Sequence, residues 1–294
     1  MADAYSTGPA AGLTRNPAEP FMIRLLLRAV MLALLLFIGL AILFSFYRFL
    51  PLYRRCTMRR IWSRALLAAS GVSLEVTCSA GARRQGHDVA PMLIVMNHVS
   101  WLDIFVLNSV MPATFIAKSE IRQWPLVGWL LMGTDTLFIE RASRHAVRHV
   151  NHRIVERLTR GEHVAFFPES TTSDGVSVLP FHASLFAMAV VRTRTADGPE
   201  AFTPPQVQPT AVRYFQWGRP TLIPAYIGEQ TFMDSVMKIL SSRGVSVRLH
   251  VLDPMLAADP EVTRQMLAKM AHARVHAAVQ AMDGSVLGQG ALQA

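Results

Sequence analysis

Residues 92–103 read Met-Leu-Ile-Val-Met-Asn-His-Val-Ser-Trp-Leu-Asp. The unbroken apolar run Met92–Met96 predicts a strand buried on both faces, the pattern of a parallel sheet rather than a half-exposed one. The run stops at Asn97, His98 follows, and Asp103 stands five residues later in front of a new apolar segment. In one continuous helix, positions five apart lie about 140° round the axis, so the two side chains would diverge. They meet only if His98 sits in the turn before a helix and Asp103 in its early turns. There the carboxylate holds one imidazole nitrogen and leaves the other free to take a proton. His-x4-Asp alone is a weak pattern, and what surrounds it decides its meaning.

A chain of 294 residues with 51% hydrophobic content can bury one large core or two small ones. The net charge of +9 is concentrated. No Asp or Glu occurs between Glu19 and Glu75, an interval that holds Arg24, Arg28, Arg48, Arg54, Arg55, Arg59, Arg60 and Arg64, which is +8 of the +9. Charge confined to the flanks of an apolar segment points to anionic membrane lipid and not to nucleic acid. Cys56 and Cys78 are the two cysteines and form no CxxC, so no disulfide framework and no cysteine-based metal site is expected.

Residues 1–20 are small, polar and Pro/Gly-containing, the composition of a disordered N-terminus. Ala29–Tyr47 is a charge-free run of 19 residues, which as a helix spans about 28 Å, close to a bilayer's hydrocarbon thickness. Tyr47 and Tyr53 suit the interface, and no small-x-small cleavage site follows, so an uncleaved anchor is expected. Six arginines from Arg48 to Arg64, against Arg15, Arg24 and Arg28 before the run, put its C-terminal side in the cytoplasm. Leu52–Ala69 carries Leu52, Cys56, Trp62, Leu66 and Ala69 at near-helical spacing among arginines. It is either an interfacial helix in the headgroup layer or a helix packed on the domain.

From Gly71 onward the pattern is α/β. Strands are predicted at Leu74–Cys78, Met92–Met96, Phe115–Ala117, Thr136–Ile139, His163–Phe167, Val207–Tyr214, Thr221–Ile227 and Val245–Leu252. Gln123–Gly133 reads as an apolar hairpin-like segment, either core or a bilayer contact. Helices are predicted after Asp103, over Ser143–Thr159 and over Phe186–Arg192. A last one begins at Asp259-Pro260-Glu261 and runs on the stripe Val262, Met266, Met270, Val275, Val279 and Met282 until Gly284 stops it.

Three more segments fall at the ends of predicted strands, where open α/β sheets bind ligands. Phe138-Ile-Glu-Arg141 delivers a guanidinium, suited to a phosphate or carboxylate or else a surface arginine. Phe166-Phe-Pro-Glu-Ser-Thr-Thr-Ser-Asp-Gly175 offers Glu169, Ser170 and Thr171 to a polar ligand, or is an ordinary capping turn. Val207-Gln-Pro209-Thr-Ala-Val212 places proline in a strand, which implies an edge or a strand start. His145, His149 and His152 stand among arginines and read as a solvated basic face, so no metal is expected. Ser170 lies in no G-x-S-x-G elbow, so a serine hydrolase has little support.

In this order and with these gaps, the four blocks resemble those of the glycerol-phosphate and lysophospholipid acyltransferases typified by 1-acylglycerol-3-phosphate acyltransferase. The family's N-H-x4-D, G-x-x-F-I-x-R, F-P-E-G-T-R-S and V-P-V-x-I-like blocks match Asn97–Asp103, Phe138–Arg141, Phe167–Ser173 and Val207–Val212, a resemblance covering about residues 71 to 282. Leu137–Arg141, the Thr-Thr-Ser-Asp-Gly ending at Gly175 and Leu179–Leu185 look like the bacterial branch that includes lyso-ornithine lipid acyltransferases. Three positions depart: Asp135 and Ser170 stand where glycine is usual, and Thr172 where arginine is usual. Losing that arginine leaves room for an acceptor other than a phosphate-bearing one.

The resemblance implies an α/β domain with a mixed, mostly parallel sheet flanked by helices, preceded by one N-terminal transmembrane helix. It divides the chain into a disordered 1–20, an anchor with a basic helix at 21–70, an acyltransferase domain at 71–283 and a flexible tail at 284–294. It implies an O-acyltransferase of membrane lipid biosynthesis, single-pass in a bacterial inner membrane with its domain on the cytoplasmic face. His98 would act as base with Asp103 behind it. Arg141, Glu169, Ser170, Thr171 and Pro209 would serve the acceptor. The partners implied are a lysolipid acceptor, lysophosphatidic acid or lyso-ornithine lipid, and an acyl carrier protein or coenzyme A thioester, with no cofactor. The other class consistent with the residues is a catalytically silent, membrane-associated lipid-binding protein of the same fold.

Overall fold

The computed structural model describes residues 19–82, 90–123, 127–139, 144–190, 205–256 and 261–290. An eight-stranded sheet forms the centre. Its strands are β1 (Val72–Cys78), β2 (Met92–Met96), β3 (Ala113–Lys118), β4 (Leu137–Ile139), β5 (His163–Phe166), β6 (Gln206–Gln216), β7 (Arg219–Pro220) and β8 (Val245–Val251). They lie in the order β1-β8-β6-β2-β5-β3-β4, with β7 beside β6. β2 runs parallel to both β5 and β6, β3 runs parallel to β4 and β5, and β1 to β8; β8 meets β6 antiparallel. The mixed, mostly parallel sheet expected from the sequence is the one observed.

β2 explains why its residues are apolar on both faces. Met92, Ile94 and Met96 enter one core with Leu66, Leu102, Val106 and Ile239, while Leu93 and Val95 enter a second with Ile154, Leu158, Phe186 and Ala271. The first core lies under α2 (Leu52–Ala69), α3 (Asp103–Asn108) and α7 (Phe232–Ser241). The second lies under α5 (Arg144–Thr159), α6 (Ala187–Val190) and α8 (Arg264–Gly290).

Several elements differ from expectation. Gln123–Gly133 is no hairpin: a 3-10 turn over Ser119–Gln123 precedes the helix α4 (Val127–Gly133). Gly128 lets the start of that helix close on the turn, because a Cβ there would lie 2.2 Å from the Arg122 carbonyl oxygen. Thr221–Ile227 forms no strand. Pro224 interrupts any ladder, the Ala225 N–H turns back onto Leu222 O, and the Tyr226 N–H donates to Val99 O at 2.9 Å. Ala183–Phe186 is a 3-10 turn that runs into α6, and Arg192 lies outside the described residues. Asp259 and Pro260 also lie outside them, and Thr263 Oγ1 takes the Met266 N–H at the start of α8. Gly284 does not stop α8, which continues to Gly290.

Pro209 sits inside a central strand and not at an edge. Its carbonyl accepts the Leu252 N–H at 3.1 Å, so its missing N–H faces the place where β8 has just ended. The Gln208 side-chain amide donates instead to the Leu252 carbonyl. Proline is tolerated because a neighbouring side chain supplies the absent donor.

The apolar helix α1 (Glu19–Ser45) includes Phe21–Ser45, long and apolar enough to cross a membrane by length and composition, with most of its side chains exposed. It touches the domain along its length. Arg28 donates to Leu240 O and Ser242 O, Trp62 Nε1 donates to Leu35 O at 3.1 Å, and Leu43 packs on Gly133. α2 likewise packs on the domain, burying Arg59, Ser63, Leu66, Leu67 and Ala69. Tyr47, expected at an interface, is buried, and its hydroxyl takes the Arg59 Nε–H at 2.6 Å.

Candidate active site

The strand–turn–helix predicted from Met92–Asp103 is built as the spacing requires, with His98 in the turn and Asp103 opening α3. Asn97 makes the turn possible. The β2–β6 ladder ends at Met96 opposite Thr210. There the Asn97 amide replaces the backbone, donating from Nδ2 to Val212 O at 3.0 Å and accepting the Val212 N–H on Oδ1 at 2.8 Å. The chain can leave the sheet without leaving the next rung unpaired.

Asp103 is fully buried and gathers four donors. Its Oδ2 meets His98 Nδ1 at 2.9 Å, the Val99 N–H at 2.7 Å and the Ser100 N–H at 2.9 Å, and its Oδ1 takes the Tyr214 hydroxyl at 2.7 Å. A carboxylate cannot donate, so the imidazole carries its hydrogen on Nδ1 and keeps a lone pair on Nε2. The His98 ring stacks on Phe167, with centroids 3.9 Å apart and planes 7° from parallel, and 19% of the His98 side chain reaches the surface.

Glu169 stands at the end of β5, next to β2. Its Oε1 accepts the His98 N–H at 2.7 Å and its Oε2 the Leu179 N–H at 2.9 Å. Burial pushes its carboxyl up to about 7, against the opposing pull of the Leu179 and His98 N–H donors. The loop beyond it wraps the same backbone: the Ser173 N–H donates to His98 O at 2.7 Å, and Thr172 Oγ1 donates to Tyr226 O. Ser170, at φ +68°, occupies a left-handed conformation that suits glycine better. Thr171 is exposed.

His98, Asp103 and Glu169 therefore meet at neighbouring strand ends, and Ser170 follows Glu169 in the chain. Pro209 is buried opposite Val95, inside the sheet and away from the imidazole. Arg141 lies outside the described residues. His152 is exposed and pairs with Glu156, and no metal-ligating cluster occurs among the described residues.

Two contributors have no local motif. Tyr214 looks like one more apolar residue of a strand; its signal is that a buried phenol needs a polar partner. Arg213, also buried, pairs with Asp283 of α8 at 2.8 Å through Nε and donates to Gly175 O, joining the last helix to the loop around His98.

The chain is similar to known proteins in sequence and in fold. The family model described as Acyltransferase matches residues 81–211. The lyso-ornithine lipid O-acyltransferase of Pseudomonas aeruginosa is 38% identical over 229 residues, covering 78% of this chain and 80% of the relative. The 1-acyl-sn-glycerol-3-phosphate acyltransferase of Neisseria meningitidis is 36% identical over 201 residues, covering 67% and 71%. In fold, the chain is similar to the crystal structure of the 1-acyl-sn-glycerophosphate acyltransferase of Thermotoga maritima, with a TM-score of 0.61, 21% identity, and 89% of this chain and 97% of that one covered.

Proposed function

The chain belongs to the acyltransferase family of these relatives and is an acyltransferase, and from that premise we propose that it moves a fatty acyl group from a thioester to the hydroxyl of a lysolipid with His98 as general base. The observation that carries this reading is the His98–Asp103 contact at 2.9 Å on Nδ1, which commits one ring nitrogen and leaves Nε2 as the acceptor. As the lysolipid oxygen attacks the thioester carbonyl, Nε2 takes its proton. The tetrahedral intermediate collapses to an ester, the C–S bond breaks, and the thiolate leaves with the proton returned from His98. Asp103 holds the tautomer and balances the imidazolium. A base placed in this way contributes about 10²- to 10⁴-fold.

Arg141, Ser170 and Thr171 are our candidates for acceptor headgroup contacts, and Glu169 supports the same wall through the backbone of His98. With Thr172 tied to Tyr226 O, the loop presents a neutral side chain where phosphate-binding relatives are expected to carry arginine. That favours lyso-ornithine lipid over lysophosphatidic acid as acceptor. The donor is an acyl carrier protein or coenzyme A thioester.

α1 would anchor the enzyme to a bacterial inner membrane, with the domain on the cytoplasmic face. Because Arg28, Leu35 and Leu43 all touch the domain, the anchor carries the domain along its length. A single-pass crossing would require α1 to leave that surface.

Purified enzyme in detergent, given each thioester with each lysolipid, should release free thiol and form the diacyl product. His98→Ala should lower that rate by about 10²- to 10⁴-fold without changing the fold. Equal turnover by the folded variant overturns the assignment. Lysolipid binding without thiol release by the wild type would favour a silent lipid binder.

A further inference from the structure

We infer that Tyr214 is a positioning residue for the His98–Asp103 pair: through its bond to Asp103 Oδ1 it sets how strongly the carboxylate holds the imidazole, and so the pH at which His98 works as a base. The inference rests on the reading of His98 as base and adds a residue that no motif includes.

Tyr214 comes from β6, one strand away, and its side chain is among the largest fully buried ones. Packing alone would be served by phenylalanine. The hydroxyl instead ends 2.7 Å from Oδ1, the carboxylate oxygen that none of the other three donors uses. The Ser100 hydroxyl lies beside the same phenol. Burial and the Asp103 charge hold the phenol's ionisation well above its ordinary range, so it remains a donor throughout the working pH range.

Each hydrogen bond to a carboxylate disperses its charge and weakens its hold on a neighbouring cation. With the phenol in place, Asp103 orients the imidazole while binding the imidazolium less tightly, and Nε2 is a free base at lower pH. Without it, the buried Oδ1 loses its donor, the negative charge turns toward His98, and the imidazolium persists to higher pH. Two other charged groups come from neighbouring positions. Glu169 lies behind the His98 backbone from the end of β5, whereas Arg213, next to Tyr214 on β6, turns to the other face of the sheet and is neutralised there by Asp283 of α8. Both are common to every variant compared below, so a difference between variants isolates the phenol.

The test is the pH profile of kcat/KM for thiol release between pH 5 and 9, with palmitoyl-coenzyme A and palmitoyl-acyl carrier protein as donors and a lysolipid acceptor. Tyr214→Phe should move the acid limb up by about half to one pH unit and lower the plateau by about tenfold. Difluorotyrosine introduced at position 214, a stronger donor of the same shape, should move the limb down. Opposite displacements support the inference. An acid limb that coincides with the wild type in both proteins overturns it, even where the plateau has dropped, because a purely structural tyrosine changes amplitude alone. If Tyr214→Phe fails to fold, the difluorotyrosine protein decides by itself. A His98→Ala enzyme that keeps its turnover removes the base reading, whereas an unmoved limb in an enzyme that needs His98 removes only the role of Tyr214.

Discussion

Glu169 holds His98 by the backbone: its Oε1 accepts the His98 N–H at 2.7 Å while Oε2 reaches Leu179, ten residues further on. One carboxylate thus ties the turn after β2 to the loop after β5, and it does so from a site that is almost fully buried. The charged form is the better acceptor for two N–H groups, yet burial opposes charge, and the balance leaves the carboxyl at about 7.

That balance predicts a pH-dependent stability. The folded-state value lies above the ordinary 4.5, so the folded protein holds this proton more tightly than the unfolded chain. The contribution is fully present below 4.5 and is lost as pH rises through about 7, to an upper limit of about 3 kcal/mol. Urea unfolding in detergent from pH 4.5 to 8.5 should show this decline in the wild type. In Glu169→Gln it should be absent, with a lower stability at acid pH because the amide nitrogen cannot accept an N–H. Parallel slopes in the two proteins would refute the assignment.

Asp103→Asn keeps the shape and removes the charge. An amide in this position either turns its NH2 onto the Val99 and Ser100 N–H groups, where buried donors meet, or keeps its oxygen on them and makes the Tyr214 hydroxyl turn from donor to acceptor. The expected loss is about 2–4 kcal/mol of stability and about 10²- to 10⁴-fold in turnover, since no charge remains to balance the imidazolium. Thiol-release kinetics on protein verified as folded by near-UV circular dichroism will test it; turnover within threefold of wild type would mean that Asp103 is structural.

Whether a feature is legible in the sequence follows from where its partners sit. Met92–Asp103 is legible because its partners are local: an apolar strand, a turn and a carboxylate five residues away. Glu169 is visible as a carboxylate at a strand end, but its partners are backbone groups of His98 and Leu179, which carry no residue signature. Tyr214 is hidden because an aromatic residue in a strand reads as core. Thr221–Ile227 has strand composition, yet Pro224 and the bond from Tyr226 to Val99 turn it across the site. Gln123–Gly133 is short and apolar, a length at which helix and hairpin periodicities cannot be separated.

Arg157 and Glu162 form a buried pair at 3.1 Å that locks the end of α5 to β5, with Thr114 Oγ1 of β3 donating to the second carboxylate oxygen at 2.9 Å. Asp135, at φ +64°, reaches Arg157 at 3.4 Å and Arg55 of α2 at 2.9 Å, so the network extends to the helix after α1. Glu162→Ala leaves the buried guanidinium with the longer contact to Asp135 and should cost about 2–4 kcal/mol, while Arg157→Met/Glu162→Leu should recover most of that loss. A double-mutant cycle by urea unfolding measures both. Additive losses would show that the pair is uncoupled.

Gly175 is the point where the loop after β5 closes on the turn that carries His98. Its φ is +69°, and a Cβ there would lie 2.7 Å from Val99 Cγ2, next to the residue proposed as base. Its N–H bonds to Ser173 Oγ, and its carbonyl takes an N–H of Arg213, so the loop cannot simply swing away. Gly175→Ala therefore adds left-handed strain to a clash and should cost about 2–4 kcal/mol. Because the clash falls on Val99, whose N–H anchors Asp103, turnover should drop by about tenfold or more. Trimming the obstacle separates the two effects. Val99→Ala in the same chain leaves the strain but opens the space, so Gly175→Ala/Val99→Ala should regain most of the turnover of Val99→Ala alone while remaining about 1–2 kcal/mol less stable than it. Thiol release and thermal unfolding of the four proteins give the comparison, and a double variant no more active than Gly175→Ala would place the damage elsewhere in the loop.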